Sequence, residues 1–142
     1  MRDKRLRFAQ QAMQEMAGLR QASHEIMELA VDAFRYNDMG KAIYVEPLEQ
    51  VIDTLKEEMR TRHIFRMKQE TCSVEVGFVW SDLLTSLERV SDHCSNIAGC
   101  VIDIAQNNLN LHESLKRTQT NDVLYREAYQ QYSQKYALPL SR

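Results

Sequence analysis

Apolar residues recur along this chain at alternating spacings of three and four, the period of a helix with one buried face. The pattern is clearest where Val76, Trp80, Leu83, Leu87, Val90, Cys94, Ile97, Val101 and Ile104 stand in one register. So long a run in step predicts a bundle helix with a continuous seam. Residues 4–37 carry a similar stripe through Leu19, Ala22, Ile26, Leu29 or Ala30, and Ala33. Residues 41–68 carry another through Tyr44, Leu48, Val51 or Ile52, Leu55 and Met59. Between these two, "YNDMGK" at 36–41 supplies Asn37, Asp38 and Gly40, which stop a helix and turn the chain. A second break, "QNNLNLH" at 106–112, precedes a fourth helix over 112–136. There Tyr125, Tyr129, Tyr132 and Tyr136 repeat at helical spacing, as an amphipathic packing edge does. Pro47 marks either the first turn of the second helix or a kink near Ile43. Breaks this short join antiparallel neighbours. The expected fold is all-α, an up-down antiparallel helical bundle in a single domain over residues 1–142.

Composition supports this class. In 142 residues there are 4 glycines and 2 prolines, and no alternating β-branched run. The formal net charge of −2 favours neither nucleic acid nor a strongly acidic partner. Cys72, Cys94 and Cys100 are odd in number, with no secretory signal, which points to free thiols in a reducing compartment. No apolar run approaches the ~20 residues of a membrane span. Arg2, Lys4, Arg5 and Arg7 crowd the start against Asp3 alone. They read either as a solvated helix end or as a segment lying on anionic lipid at residues 2–7.

One pattern is written twice. "LEQVID" occupies residues 48–53 and "LERVSD" residues 87–92. With each leucine taken as core-facing, Glu49 and Glu88 fall about 100° round their helices, and Asp53 and Asp92 about 140°. Each helix therefore stacks two carboxylates on one flank of its seam. Like charges four apart repel unless a shared cation neutralises them, and carboxylate oxygen suits hard or borderline metals. Chance alone gives about three such spacings for this acid content; the chain has four, the others being Glu28/Asp32 and Asp53/Glu57. Asn96, one turn beyond Asp92, could support the carboxylates. His93 points about 100° further round than Asp92, toward an outer position. His24, His63 and His112 are isolated and expected to face solvent. Glu-x-x-His pairs, Cys-x-x-Cys and phosphate-cradling glycine loops are absent, so no enzyme class is indicated.

The string "CSVEVGFVWSDLLTSLERVSDHCSNIAGCVI", residues 72–102, resembles the PhoU family. That family's signature helix reads close to Leu-Glu-Arg-Ile-Gly-Asp followed by an Asn-Ile pair. Here those positions are Leu87 to Asp92, with Val90 and Ser91 as departures, then Asn96 and Ile97. "GFVWSDLL", "DHCSNIA" and "YQQYSQKYAL" look like one branch, the carboxy-terminal cytoplasmic domain of bacterial sodium-dependent phosphate cotransporters. The resemblance implies three-helix units whose Glu/Asp-x-x-x-Asp motifs bind iron or zinc clusters. Glu49, Asp53, Glu88 and Asp92 would be the ligands, with Asn96 and His93 behind them, although an isolated domain need not retain the metal. It implies a regulatory domain on the cytoplasmic face of the cell membrane, preceded by its transporter's membrane part. Its partners would be that membrane part, an anionic membrane surface and a second copy of itself in a homo-oligomer, but not nucleic acid. The alternative is a free-standing regulator of phosphate uptake acting through protein contacts.

Overall fold

The computed structural model describes the backbone of residues 2–69, 73–107 and 111–139, and side chains at 10–69, 73–106 and 123–139. Among the described residues there are four helices: α1 (Arg2–Tyr36), α2 (Met39–Lys68), α3 (Val74–Asn107) and α4 (Leu111–Lys135). Among the described residues there is no strand. The first turn is tighter than the sequence suggests. Asn37 takes the left-handed conformation at φ 51° that ends α1. Asp38 then caps α2, its side chain accepting from the Lys41 N–H at 3.2 Å. Gly40 is therefore not the stop; it lies in the first turn of α2. Pro47 lies inside α2, so the carbonyl of Ile43 loses the N–H that would close its turn.

α1, α2 and α3 pack on one another around a core of Leu19, Ile26, Leu48, Ile52, Met59 and Leu84. Each such side chain, fully buried, contributes roughly 1.5–3 kcal/mol. α4 lies on α2 and not between α3 and its neighbours. It runs in the direction of α2: Tyr125 is near Glu46 and Glu49, and Pro139, beyond its end, accepts from Arg62 at 2.7 Å. The tyrosine stripe is a packing edge, with Tyr125 stacked on Tyr129 and Tyr132 on Tyr136. Tyr136 is buried and donates its hydroxyl to Glu25 of α1.

The seam of α3 differs from the expected one. Gly77, Trp80, Leu84, Ser91, Cys94, Ala98 and Val101 are buried, whereas Val76, Leu83, Ile97 and Ile104 are exposed. The buried face is rotated by about 60° from the large apolar residues. Small residues are the reason. A Cβ on Gly77 would come within 2.4 Å of Met67 Sδ, so α2 and α3 approach where a side chain is missing. The bulky residues are left on the flank. The rotation also turns Glu88 and Asp92 toward α2.

Candidate functional site

α2 and α3 run antiparallel, and polar contacts fix their register. Arg60 Nη2 donates to Thr85 Oγ1 at 3.2 Å. Lys56 Nζ meets Glu88 Oε1 at 2.6 Å. Ser95 Oγ donates to Glu46 Oε2 at 2.7 Å. The seam they border carries all four carboxylates of the repeated hexapeptide, divided into two groups.

In the first group Lys56 stands between the helices. Its Nζ lies 2.8 Å from Asp53 Oδ1, 2.6 Å from Glu88 Oε1 and 3.5 Å from Glu57 Oε1. Its side chain is only 5% exposed. Burial opposes the ammonium charge, but the hydrogen bonds and charges of Asp53 and Glu88 outweigh it and raise the Lys56 pKa. Arg60 adds a second cation, 3.3 Å from Glu57 and 3.7 Å from Glu88. In the second group, among the described residues, no cation pairs with the carboxylates. Glu49 is half-buried beside Asp92, with Gln50 Nε2 donating to its Oε2 at 3.0 Å. Burial, the charges of Glu46, Asp92 and Asp53, and a hydrogen bond with Asp92 push Glu49 up to about 7. Two carboxyl groups can share a hydrogen bond only if one keeps a proton, so below about pH 7 this pair holds one.

These residues do not fit a multinuclear iron or zinc centre as they are placed. Among the described residues, no three His, Cys, Asp or Glu side chains are gathered to hold an ion. The point between Asp53 and Glu88, where a bridging ion would sit, is taken by the Lys56 ammonium. Asn96 and His93 are exposed. Arg89, the nearest cation in sequence to Glu88, is exposed too.

A second polar cluster lies at the far end of α2. Glu15 of α1 is fully buried, and its Oε1 accepts from Arg66 Nη1 and Nη2, both at 3.2 Å. Its Oε2 accepts from Arg62 Nη1 at 3.0 Å, and Arg62 also pairs with Glu58 at 3.0 Å. His63, expected in solvent, is buried and stacked on Trp80 at 5.1 Å. Burial and the Arg66 charge lower its pKa. Arg66 can only donate, so the His63 Nδ1 that it meets at 3.4 Å accepts, as a neutral ring does. His24 is exposed, and the side chain of His112 lies outside the described residues. The sequence did hold a signal for this cluster. Glu15 stands four residues before Leu19, and His63 and Arg66 four and seven after Met59, so all three continue apolar stripes.

Comparison with known proteins gives a match to the PhoU domain over residues 16–101, more than half of the chain. The chain belongs to the PhoU domain family. A phosphate-specific transport system accessory protein, PhoU homolog 1 of Thermotoga maritima, is 26% identical over 104 residues. The match spans 73% of this chain and 44% of the relative, so the chain covers less than half of that protein's length. No solved structure matches. The family is one of regulators rather than enzymes. The PhoU match takes in α2 and most of α3, and hence both hexapeptides. No helix among the described residues is long and apolar enough to cross a membrane. The basic side chains at 2–7 lie outside the described residues, although α1 begins at Arg2.

Proposed function

We propose that this PhoU domain is a regulator of phosphate transport that works by contact with partner proteins. The observation that carries this reading is the PhoU match over residues 16–101, coincident with the three packed helices. The seam supports it, since it displays carboxylates held by Lys56 and Arg60 rather than a nucleophile with its base. Deleting the gene in its host and following uptake of labelled phosphate tests this. Uptake that no longer responds to phosphate supply, and is restored by the gene, is expected. Normal uptake and normal response in the deletion strain would overturn it.

A narrower reading is favoured by the string at 72–102: the domain is the cytoplasmic part of a sodium-dependent phosphate cotransporter. Its partners are then its own membrane part and anionic lipid facing residues 2–7, where each Lys or Arg contributes about 1 kcal/mol. Coding sequence upstream of Met1 with several apolar stretches of about 20 residues is the expected finding. A stop codon shortly upstream would return the chain to the free-standing reading. Sedimentation with anionic but not neutral vesicles at low salt tests the lipid contact.

A further inference from the structure

We propose that His63 and Trp80 form a proton-operated latch, which holds the first turns of α3 against α2 near neutral pH and releases them in mild acid. The inference does not rest on the transport reading. Its first ground is how little else holds that segment. From Val74 to Leu83, about three turns of helix, Gly77 and Trp80 alone are buried, and the next buried residue is Leu84. Both contacts converge on one side chain. The Trp80 ring stacks on the His63 imidazole, with centroids 5.1 Å apart and planes 17° from parallel. A Cβ on Gly77 would stand 3.6 Å from His63 Nε2, so the backbone of α3 passes close to that ring too. Val74, Val76, Phe78 and Val79 are exposed and contribute little hold.

The second ground is where a proton must enter. Nδ1 of the ring faces Arg66 Nη2 at 3.4 Å, and a guanidinium only donates. The neutral ring therefore carries its proton on Nε2, and a second proton must bind at Nδ1, against the guanidinium itself. Two donors then face each other, and two cations stand in contact inside the bundle. Arg66 cannot yield. Its two Nη atoms both bond Glu15 Oε1 at 3.2 Å, and its guanidinium lies 5.8 Å from the centre of the Trp80 ring. The imidazole is the part that moves, and the stack on Trp80 is lost with it.

Charge gives the same sign. Among the described residues, Glu15 of α1 and Arg66 of α2 are the charged groups that act on the ring. Arg62 and Glu58 of α2 stand one step behind, Arg62 pairing with both Glu15 and Glu58. α3 presents Gly77 and Trp80, which carry no charge. Beyond α4, the Pro139 carbonyl accepts from Arg62 and brings no charge either. Glu15 is already shared between two arginines. A charged His63 sets three cations against two carboxylates, where two stood against two. Burial opposes the charged ring as well. The open latch is then the state that takes the proton, so acid favours it. Opening stops at Leu84, whose burial in the core keeps the rest of α3 in place.

Trp80 is the single tryptophan of the chain, so its fluorescence reports the stack alone. Quenching by acrylamide, an uncharged solute, follows its exposure from pH 7.5 to pH 5. In the parent the Stern–Volmer constant should rise roughly threefold, as local opening bares a buried ring. The midpoint should lie below pH 6.5, the ordinary histidine value, with the helical circular dichroism retained. His63→Phe should keep the stack and hold the constant flat at its neutral value. His24→Gln, at an exposed histidine, should leave the rise unchanged. A flat profile in the parent would overturn the proposal, as would an equal rise in His63→Phe. A rise centred above pH 6.5 would assign the opening to another group and overturn it too. So would a rise accompanied by loss of the helical signal, which is global unfolding. If His63→Phe does not fold, His63→Gln decides by the same readout, since it too takes up no proton.

Discussion

α2 carries a polar cluster toward each end, and the two solve the problem of charge between helices differently. At the C-terminal end, among the described residues, Arg62 and Arg66 face Glu15 and Glu58, two against two, with Glu15 fully buried. Toward the N-terminal end Lys56 and Arg60 face Asp53, Glu57 and Glu88, and Glu46, Glu49 and Asp92 crowd together beside them in half-open surroundings. The sealed cluster is balanced because little water reaches it to screen an excess charge. The open one tolerates excess because water does. Burial and balance therefore go together, and the surplus of carboxylate is left where a solute or partner can meet it.

The largest expected effect is at the sealed end. Glu15→Ala leaves Arg66 buried against Trp80 without its carboxylate, and should destabilise by about 3–5 kcal/mol. Urea unfolding followed by circular dichroism measures it. A loss under 1 kcal/mol would mean that water reaches Arg66 and that the two ends do not differ in kind.

Lys56→Met comes next. Asp53, Glu57 and Glu88 are 51%, 64% and 34% exposed, so much of their uncompensated charge is screened by solvent. The expected loss is about 1–2 kcal/mol, reduced by salt, since the variant trades one buried ammonium for repulsion between wet carboxylates. The substitution also tests the cation's place. Without Lys56, added Mn²⁺ or Zn²⁺ should raise the melting temperature more than it does for the parent. An equal rise in both, lost in Asp53→Asn/Glu88→Gln, would show that metal displaces Lys56 freely.

The contrast between the ends explains which parts of the molecule were legible in sequence. The helices and the α1 stripe were, because Leu19, Ala22, Ile26 and Ala33 are apolar and buried together. The flank of Glu49, Asp53, Glu88 and Asp92 was legible because the hexapeptide repeats. The exact seam of α3 was not. Hydropathy gives weight to Leu83 and Ile97, whereas close packing gives it to Gly77, Ser91 and Ala98, which carry little side chain. Lys56 was not legible as the seam's cation, because its long stem lies along apolar surface and delivers the charge sideways to α3. Nor was Glu15, whose partners stand far along the chain, although its place on an apolar stripe marked it as buried.

The smallest effect expected is on pH dependence, where the two ends should act with opposite sign. Glu49 has its folded pKa raised from 4.5 to about 7, by burial and by Glu46, Asp92 and Asp53. Between those values the folded state holds a proton that the unfolded chain releases. This contribution is therefore full below pH 4.5 and is lost as pH rises through about 7. His63 is shifted the other way, its folded pKa lowered from 6.5 by burial and Arg66, with Glu15 opposing. As pH falls through 6.5, the unfolded chain takes up a proton that the stacked ring does not, and stability is lost on the acid side. Glu49→Gln should thus flatten the decline between pH 5 and 8 while leaving the acid limb in place. His63→Phe, which can keep the stack on Trp80, should flatten part of the acid limb and leave the neutral one. Each change amounts to roughly 2–4 °C in melting temperature for a chain of this size. The readout is a series of thermal melts at constant ionic strength. If Glu49→Gln alters only the acid limb, the proton shared with Asp92 is not on Glu49, and the acidic seam must carry its charge elsewhere.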